Sequence, residues 1–416
     1  MSAVKVAGKN KLNGNIKVQG CKNAVLPIIA ASLLNGGLNV IHNCPHLADV
    51  YASVKILKEL GASASFEGDT LIIDSSHINC RMVEPELMGA LRSSVVFLGS
   101  ILSRCGNATV SMPGGCDIGM RPIDIHLASF EKMGVDVECT GTGITCSIKN
   151  LHSEKIVLPF PSVGATENIM LLSVKGRGVT TIYNAAREPE IVDLQNFLNS
   201  MGARVYGAGT NIITIYAVKD LMGSEYTVMS DRIEAATFAC AAASSGGSLF
   251  IDGISPDHIR TVVNILRQCG TKIVEYPNSI YIISKAKPLC PRFVSTRPYP
   301  GFPTDAQSLI MSVMSASCGE GVIVENIFEN RFGHAIELQK MGADINISDR
   351  SAYIKGTTLH GASVEARDLR SGAALVVAAM SAEGESIIER AEYIDRGYDN
   401  FEQKLKSTGA EIERVN

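Results

Sequence analysis

The chain has 416 residues, of which 46% are hydrophobic and 19% charged, with a formal net charge of −4. That length exceeds one ordinary core and predicts two domains, while the composition predicts a globular chain without a charged tail. The negative balance argues against a nucleic-acid partner, no apolar run reaches membrane-spanning length, and residues 1–9 lack a signal-peptide core.

Two strand-like pieces, at 4–6 and 15–18, open the chain. The pattern that follows then recurs to the end. A helix rich in small apolar residues comes first, predicted at 23–34, 94–103, 165–174, 233–245, 305–317 and 369–382. Apolar nearly all round, these helices should be buried on every side. Each is followed by a glycine, expected to cap it in the left-handed conformation: Gly36, Gly106, Gly176, Gly246, Gly319 and Gly384. A short β-branched strand comes next, as at 38–42, 108–111, 248–252 and 322–325. An amphipathic helix then ends on a second glycine, one each at Gly61, Gly134, Gly202, Gly270, Gly342 and Gly409. Two strands joined by a turn complete the unit, as at 63–66 and 70–73. Such self-similarity marks one supersecondary unit used repeatedly.

The last copy is incomplete: its strand at 410–415 reaches the C-terminus with no partner behind it. The N-terminal segment is therefore expected to cross over and complete it. That predicts one domain at 22–229 and another at 1–21 plus 230–416, of three units each, with the ligand site in the cleft between them.

Cations mark equivalent unit ends. Lys22, Arg92 and Arg370 stand at starts of the first-type helix, where unpaired N–H groups and the helix dipole attract anions. Arg121, Arg331 and Arg396 stand in strand-to-helix turns. Singly, each also reads as a solvated side chain or a structural ion pair; together they suggest a small polyanionic ligand. The stretch 111–122 places Cys116 among three glycines and beside Arg121, a setting that lowers a thiol pKa and lets a loop move. The competing reading is an inert buried cysteine. Asp305 sits where a helix begins and reads equally as an N-cap, as do Asp231, Asp368 and Asp395. His126 and His334 lack any metal or triad motif and read as core or surface residues. The eleven cysteines show neither metal-finger nor paired redox spacing, which predicts that most are buried thiols in a reducing, cytosolic compartment.

These residues, in order, resemble the UDP-N-acetylglucosamine 1-carboxyvinyltransferases, a family of enolpyruvyl transferases. The resemblance runs through Lys22-Asn23-Ala24, Pro113-Gly114-Gly115-Cys116, Arg121-Pro122-Ile123-Asp124, Ser162-Val163-Gly164 and Asn184 to Glu190. It continues with Asp231-Arg232-Ile233-Glu234, Phe302-Pro303-Thr304-Asp305, Phe328-Glu329-Asn330-Arg331, Asp368-Leu369-Arg370 and Ile394 to Tyr398. It implies an α+β fold of two domains, each of three βαβαββ-type units with helices inside and sheets outside. It also implies enolpyruvyl transfer from phosphoenolpyruvate to the sugar 3′-hydroxyl of UDP-N-acetylglucosamine with release of phosphate. That is the first committed step of peptidoglycan synthesis, and it calls for no metal and no cofactor.

On this resemblance, Cys116 is the loop acid and Asp305 the base. Lys22, Asn23, Arg121 and Arg396 would hold the phosphate side of phosphoenolpyruvate, and Arg331 and Arg370 its carboxylate. Arg92, Arg121, Pro122, Ile123, Asp124, Ile125, Ser162, Val163, Gly164, Asp305 and Ile327 would line the nucleotide-sugar site. Cys21, Ala306 and Gly333 depart from the family's usual residues. The alternatives are an enzyme like 5-enolpyruvylshikimate-3-phosphate synthase, or a paralogue that binds the nucleotide sugar without turnover.

Overall fold

The computed structural model describes residues 2–79, 95–111, 123–139, 143–285 and 287–415. Arg92, Cys116, Arg121 and Pro122 lie outside them. The described residues form two compact units. A continuous unit lies within 20–229, and a split unit joins 2–19 to 230–415.

One complete repeat shows how the pattern folds. In the continuous unit, Lys155–Val157 leads into helix Val163–Ser173 and then strand Val179–Tyr183. The two strands pair in parallel, with Thr181 opposite Lys155, as a helical crossover permits. Helix Pro189–Ser200 follows, then Arg204–Tyr206 and Ile212–Tyr216, which pair antiparallel. Alternation sets the two faces: Thr180, Ile182, Ile213 and Ile215 point inward, while Val179 and Tyr216 are 44% and 45% exposed. Sheets face out and helices in. Three sheets of this kind belong to each unit.

The first-type helices form the cores, as their uniformly apolar sequence requires. Every residue of Arg232–Ser245 is buried. It packs with Gln307–Ser315 and Leu369–Ser381 in the split unit. Small side chains let these backbones approach, and Ser312 Oγ donates to the carbonyl of Ala374 at 2.7 Å across the contact.

Two expectations need correction. All six glycines of the second series adopt a left-handed φ, between +84° and +97°. In the first series only Gly106 and Gly246 are helix caps with positive φ. Gly36 and Gly176 are not left-handed, because their helices end earlier, at Ala31 and Ser173. The strict conformational requirement therefore sits after the amphipathic helix, where the chain must reverse sharply into a strand.

The N-terminal segment also divides its pairing. Ala3–Ala7 inserts between Glu385–Glu389 and Ile412–Val415, antiparallel to both, and completes the last repeat as expected. Leu12–Lys17 does not join it. That strand runs parallel to Gly247–Asp252 and supplies the edge of the fourth repeat's sheet. In the continuous unit Ser224–Thr227 does the same for Leu38–His42. Each of these edge strands lies next in sequence to a helix of the other unit, so the chain passes from one unit to the other directly after each of them, and the split unit is built from two separate stretches.

Candidate active site

The split unit brings three of the expected residues together. Asp305 lies in the turn Thr304–Ala306 ahead of helix Gln307–Ser315 and does not serve as a side-chain cap. Its Oδ1 accepts from Nη2 of Arg331 at 3.0 Å, and its Oδ2 lies 3.5 Å from Nη2 of Arg370. Asp231 and Asp368, by contrast, are caps. Asp231 accepts from the N–H groups of Ile233 and Glu234, and Asp368 forms a capping box with Ser371.

Arg370 is only 3% exposed, on the first turn of Leu369–Ser381. Burial works against its charge, but Tyr398, Asp305 and Asp231 outweigh that and hold the guanidinium more firmly protonated than usual. Its Cζ lies 5.4 Å from the ring centroid of Tyr398, whose hydroxyl is bonded to Thr237 Oγ1 at 2.8 Å. Arg331 is likewise buried, with Cζ 5.7 Å from the Phe328 ring. His334 lies on the following turn, and burial pushes its imidazole down to about 4, against the pull of Asp368. A neutral ring there adds no further positive charge beside Arg331.

Arg396 closes the turn Ala391–Arg396 and is half-buried. Its neighbour Asp395 pairs with Arg414 Nη2 at 2.6 Å, tying the turn to the C-terminal strand. Ile327 is half-buried and donates its N–H to Oε1 of Glu325 at 2.8 Å.

The continuous unit carries the remaining described candidates. Lys22 opens helix Lys22–Ala31, is 7% exposed, and places Nζ 2.7 Å from Oδ2 of Asp49. Asn23 follows it, half-buried. Cys21 is buried, its Sγ 3.9 Å from Oε1 of Glu190. Glu167 belongs to the same unit. Burial first, then Glu190 and Glu188, raises its carboxyl well above the usual range.

Two helix starts in this unit hold the other group. Ile123, Asp124 and Ile125 begin Asp124–Lys132, while Ser162, Val163 and Gly164 begin Val163–Ser173, where Ser162 Oγ accepts from Ala165 N–H. His126 joins them. A Cβ on Gly164 would come 2.9 Å from His126 Cε1, so only glycine fits over the ring. Asn168 Nδ2 donates to His126 Nδ1 at 3.0 Å, and burial lowers this imidazole to about 4. The expectation of core duty for His126 thus has a definite content: a buried, neutral ring packed against the first turn of Val163–Ser173.

Asp49 and Glu325 were missed. Nothing in the sequence marks Asp49 as the partner of Lys22. Glu325 did carry a signal, since it follows the strand Glu320–Val324 at the inward parity of Gly321 and Ile323.

A family profile for EPSP synthase (3-phosphoshikimate 1-carboxyvinyltransferase) matches residues 6–405. UDP-N-acetylglucosamine 1-carboxyvinyltransferase 2 of Caldanaerobacter subterraneus subsp. tengcongensis is 45% identical over 416 residues, covering 100% of both chains. UDP-N-acetylglucosamine 1-carboxyvinyltransferase 1 of the same organism is 47% identical over 406 residues, 97% of each. Among solved structures, the enolpyruvyl transferase NikO from Streptomyces tendae superposes with a TM-score of 0.89 at 23% identity, covering 100% of this chain and 99% of that one. An EPSP synthase from Acinetobacter baumannii gives 0.75 at 18% identity over 100% of both. The structural likenesses establish the fold, and the end-to-end relatives establish the branch: the chain belongs to the enolpyruvyl transferase family, among the UDP-N-acetylglucosamine 1-carboxyvinyltransferases.

Proposed function

We propose that this chain is an enzyme that transfers the enolpyruvyl group of phosphoenolpyruvate to the 3′-hydroxyl of UDP-N-acetylglucosamine and releases inorganic phosphate. The observation that carries the reading is Asp305 beside Arg331 and Arg370, in a chain matched end to end by transferases of that name. A carboxylate next to two buried guanidinium groups suits a site that must bind a carboxylated substrate and also accept a proton.

The steps balance as addition followed by elimination. Asp305 takes the proton of the sugar hydroxyl as its oxygen bonds to C2 of phosphoenolpyruvate, and the C2–C3 double bond takes a proton from the Cys116 thiol at C3. The tetrahedral adduct then breaks its C2–O bond to phosphate, and C3 returns a proton so that the double bond reforms. Arg331 and Arg370 hold the substrate carboxylate. That carboxylate competes with Asp305 for the same N–H donors. Lys22, Asn23, Arg121 and Arg396 take the phosphate, whose charge grows as it leaves. Arg92, Arg121, Pro122, Ile123, Asp124, Ile125, Ser162, Val163, Gly164, Asp305 and Ile327 bind the nucleotide sugar. The N-terminus of Val163–Ser173 suits its diphosphate.

Among the described residues no helix is long and apolar enough to cross a membrane. A coupled assay of phosphate release tests the proposal: release should require both substrates. Because the family profile bears the shikimate enzyme's name, shikimate 3-phosphate is the control acceptor. Release with that acceptor and not with the nucleotide sugar would refute the reading.

A further inference from the structure

We infer that Glu325 is a positioning residue whose carboxylate sets where Asp305 and Ile327 stand. The inference rests on the roles proposed above for those two residues.

Glu325 is 1% exposed, and a carboxylate taken that far from water must be compensated by donors. Four supply the compensation, from three separate segments. Oε1 accepts from Thr296 Oγ1 at 2.9 Å, from Ile327 N–H at 2.8 Å and from Phe328 N–H at 3.2 Å. Oε2 accepts from Thr304 Oγ1 at 2.9 Å. Thr296 closes the circuit, because its hydroxyl also accepts from Asn326 N–H at 2.8 Å.

Three of the four donors belong to or border residues of the proposed site. Thr304 is the peptide neighbour of Asp305. Ile327 is held through its own backbone, and Phe328 carries the ring beneath Arg331. The carboxylate therefore bonds to both loops whose side chains meet in the Asp305–Arg331 pair. Reacting groups need placement to about 0.5 Å, which a loop attains only when its neighbours are pinned. A tie that served stability alone would leave the folded enzyme's kinetics unchanged, and on that point the two readings separate.

The test uses phosphate release by the full chain. Thr304→Val removes the Oε2 donor and leaves the other three bonds. It should lower kcat roughly tenfold and raise KM for UDP-N-acetylglucosamine severalfold, with KM for phosphoenolpyruvate within about twofold of wild type. Thr304→Ser keeps the hydroxyl and should restore both values. Glu325→Gln should lose more, roughly a hundredfold in kcat, because it removes the charge that strengthens all four bonds and replaces one accepting oxygen by a donating nitrogen. If Glu325→Gln fails to fold, the Thr304 pair still decides. Wild-type kcat and sugar KM in Thr304→Val overturn the inference, as does a loss that Thr304→Ser fails to rescue. Absence of turnover by the wild-type chain would instead sink the proposed function. Calorimetry of UDP-N-acetylglucosamine binding then decides the Glu325 inference: weaker binding by Thr304→Val supports it, and equal affinity or no wild-type binding overturns it.

Discussion

Arg331 and Asp305 form an ion pair that is closed on one side, with the guanidinium 5% exposed and the carboxylate 29%. The cation is fixed by its surroundings, while the acid keeps an open face toward solvent and ligand. Asp305→Asn keeps the shape and removes the basicity, so kcat should fall roughly a hundredfold to ten-thousandfold. Steady-state phosphate release checks this, and near-normal turnover would remove Asp305 from the chemistry.

Lys22 and Asp49 are both buried, so their contact is worth most when neither is altered alone. Asp49→Asn leaves the ammonium facing a neutral amide in a poorly solvated place. Stability should drop by about 3 kcal/mol, readable as a lower midpoint in urea melts. An unchanged midpoint would mean that solvent or another group takes over from Asp49.

The thiols should differ sharply in reactivity. Cys116, in its glycine-rich loop beside Arg121, is expected to be the nucleophile alkylated by an epoxide such as fosfomycin, and Cys116→Ala should nearly abolish turnover. Cys21 is 1% exposed, and burial pushes Cys146 and Cys269 up to about 12, so these should stay unmodified. Peptide mass spectrometry locates the adduct. Finding it on Cys21 would move the reactive centre.

Stability should also depend on pH in a defined direction. Burial raises Glu167 well above its usual range and brings Glu234 to about 7, against the pull of Lys404. Between the unfolded carboxylate value and these raised values the folded chain binds more protons than the unfolded one. Stability is therefore greatest at the acid end for these groups and falls as pH rises, by about 1.4 kcal/mol per pH unit for each such proton. His126 and His334, lowered to about 4, act oppositely: their contribution is lost as pH falls from the unfolded value near 6.5 toward 4. Unfolded histidine is still half protonated at about pH 6.5 and neutral only from about pH 7.5, but the histidines are common to wild type and to a Glu167 variant, so the difference between their slopes belongs to the acid. Denaturant melts from pH 6.5 to 8 should show Glu167→Gln losing less stability per pH unit than wild type. An equal slope in that variant would count against a protonated Glu167.

Much of the fold was legible because it repeats a periodic requirement. A helix such as Arg232–Ser245, apolar on every face, can only be buried, and a strand such as Val179–Tyr183 with alternating faces can only cover it. The second glycine series was legible as a spacing, but its left-handed conformation was not: the helix pattern assigns that conformation to the first series, and it recurs at all six positions of the second. The placement of Leu12–Lys17 was not, because its partner lies some 235 residues away and several strand edges offer the same pattern.

Chain order alone determined the repeated unit, the buried helices and the cations that mark helix starts and turns, because each follows from local periodicity and backbone chemistry. Only the tertiary structure decided that Asp305 meets Arg331 and Arg370, that Asp49 meets Lys22, and that Glu325 ties three segments. Those pairings depend on which side chains packing removes from water together, and a buried charge takes whatever partner the fold brings within reach.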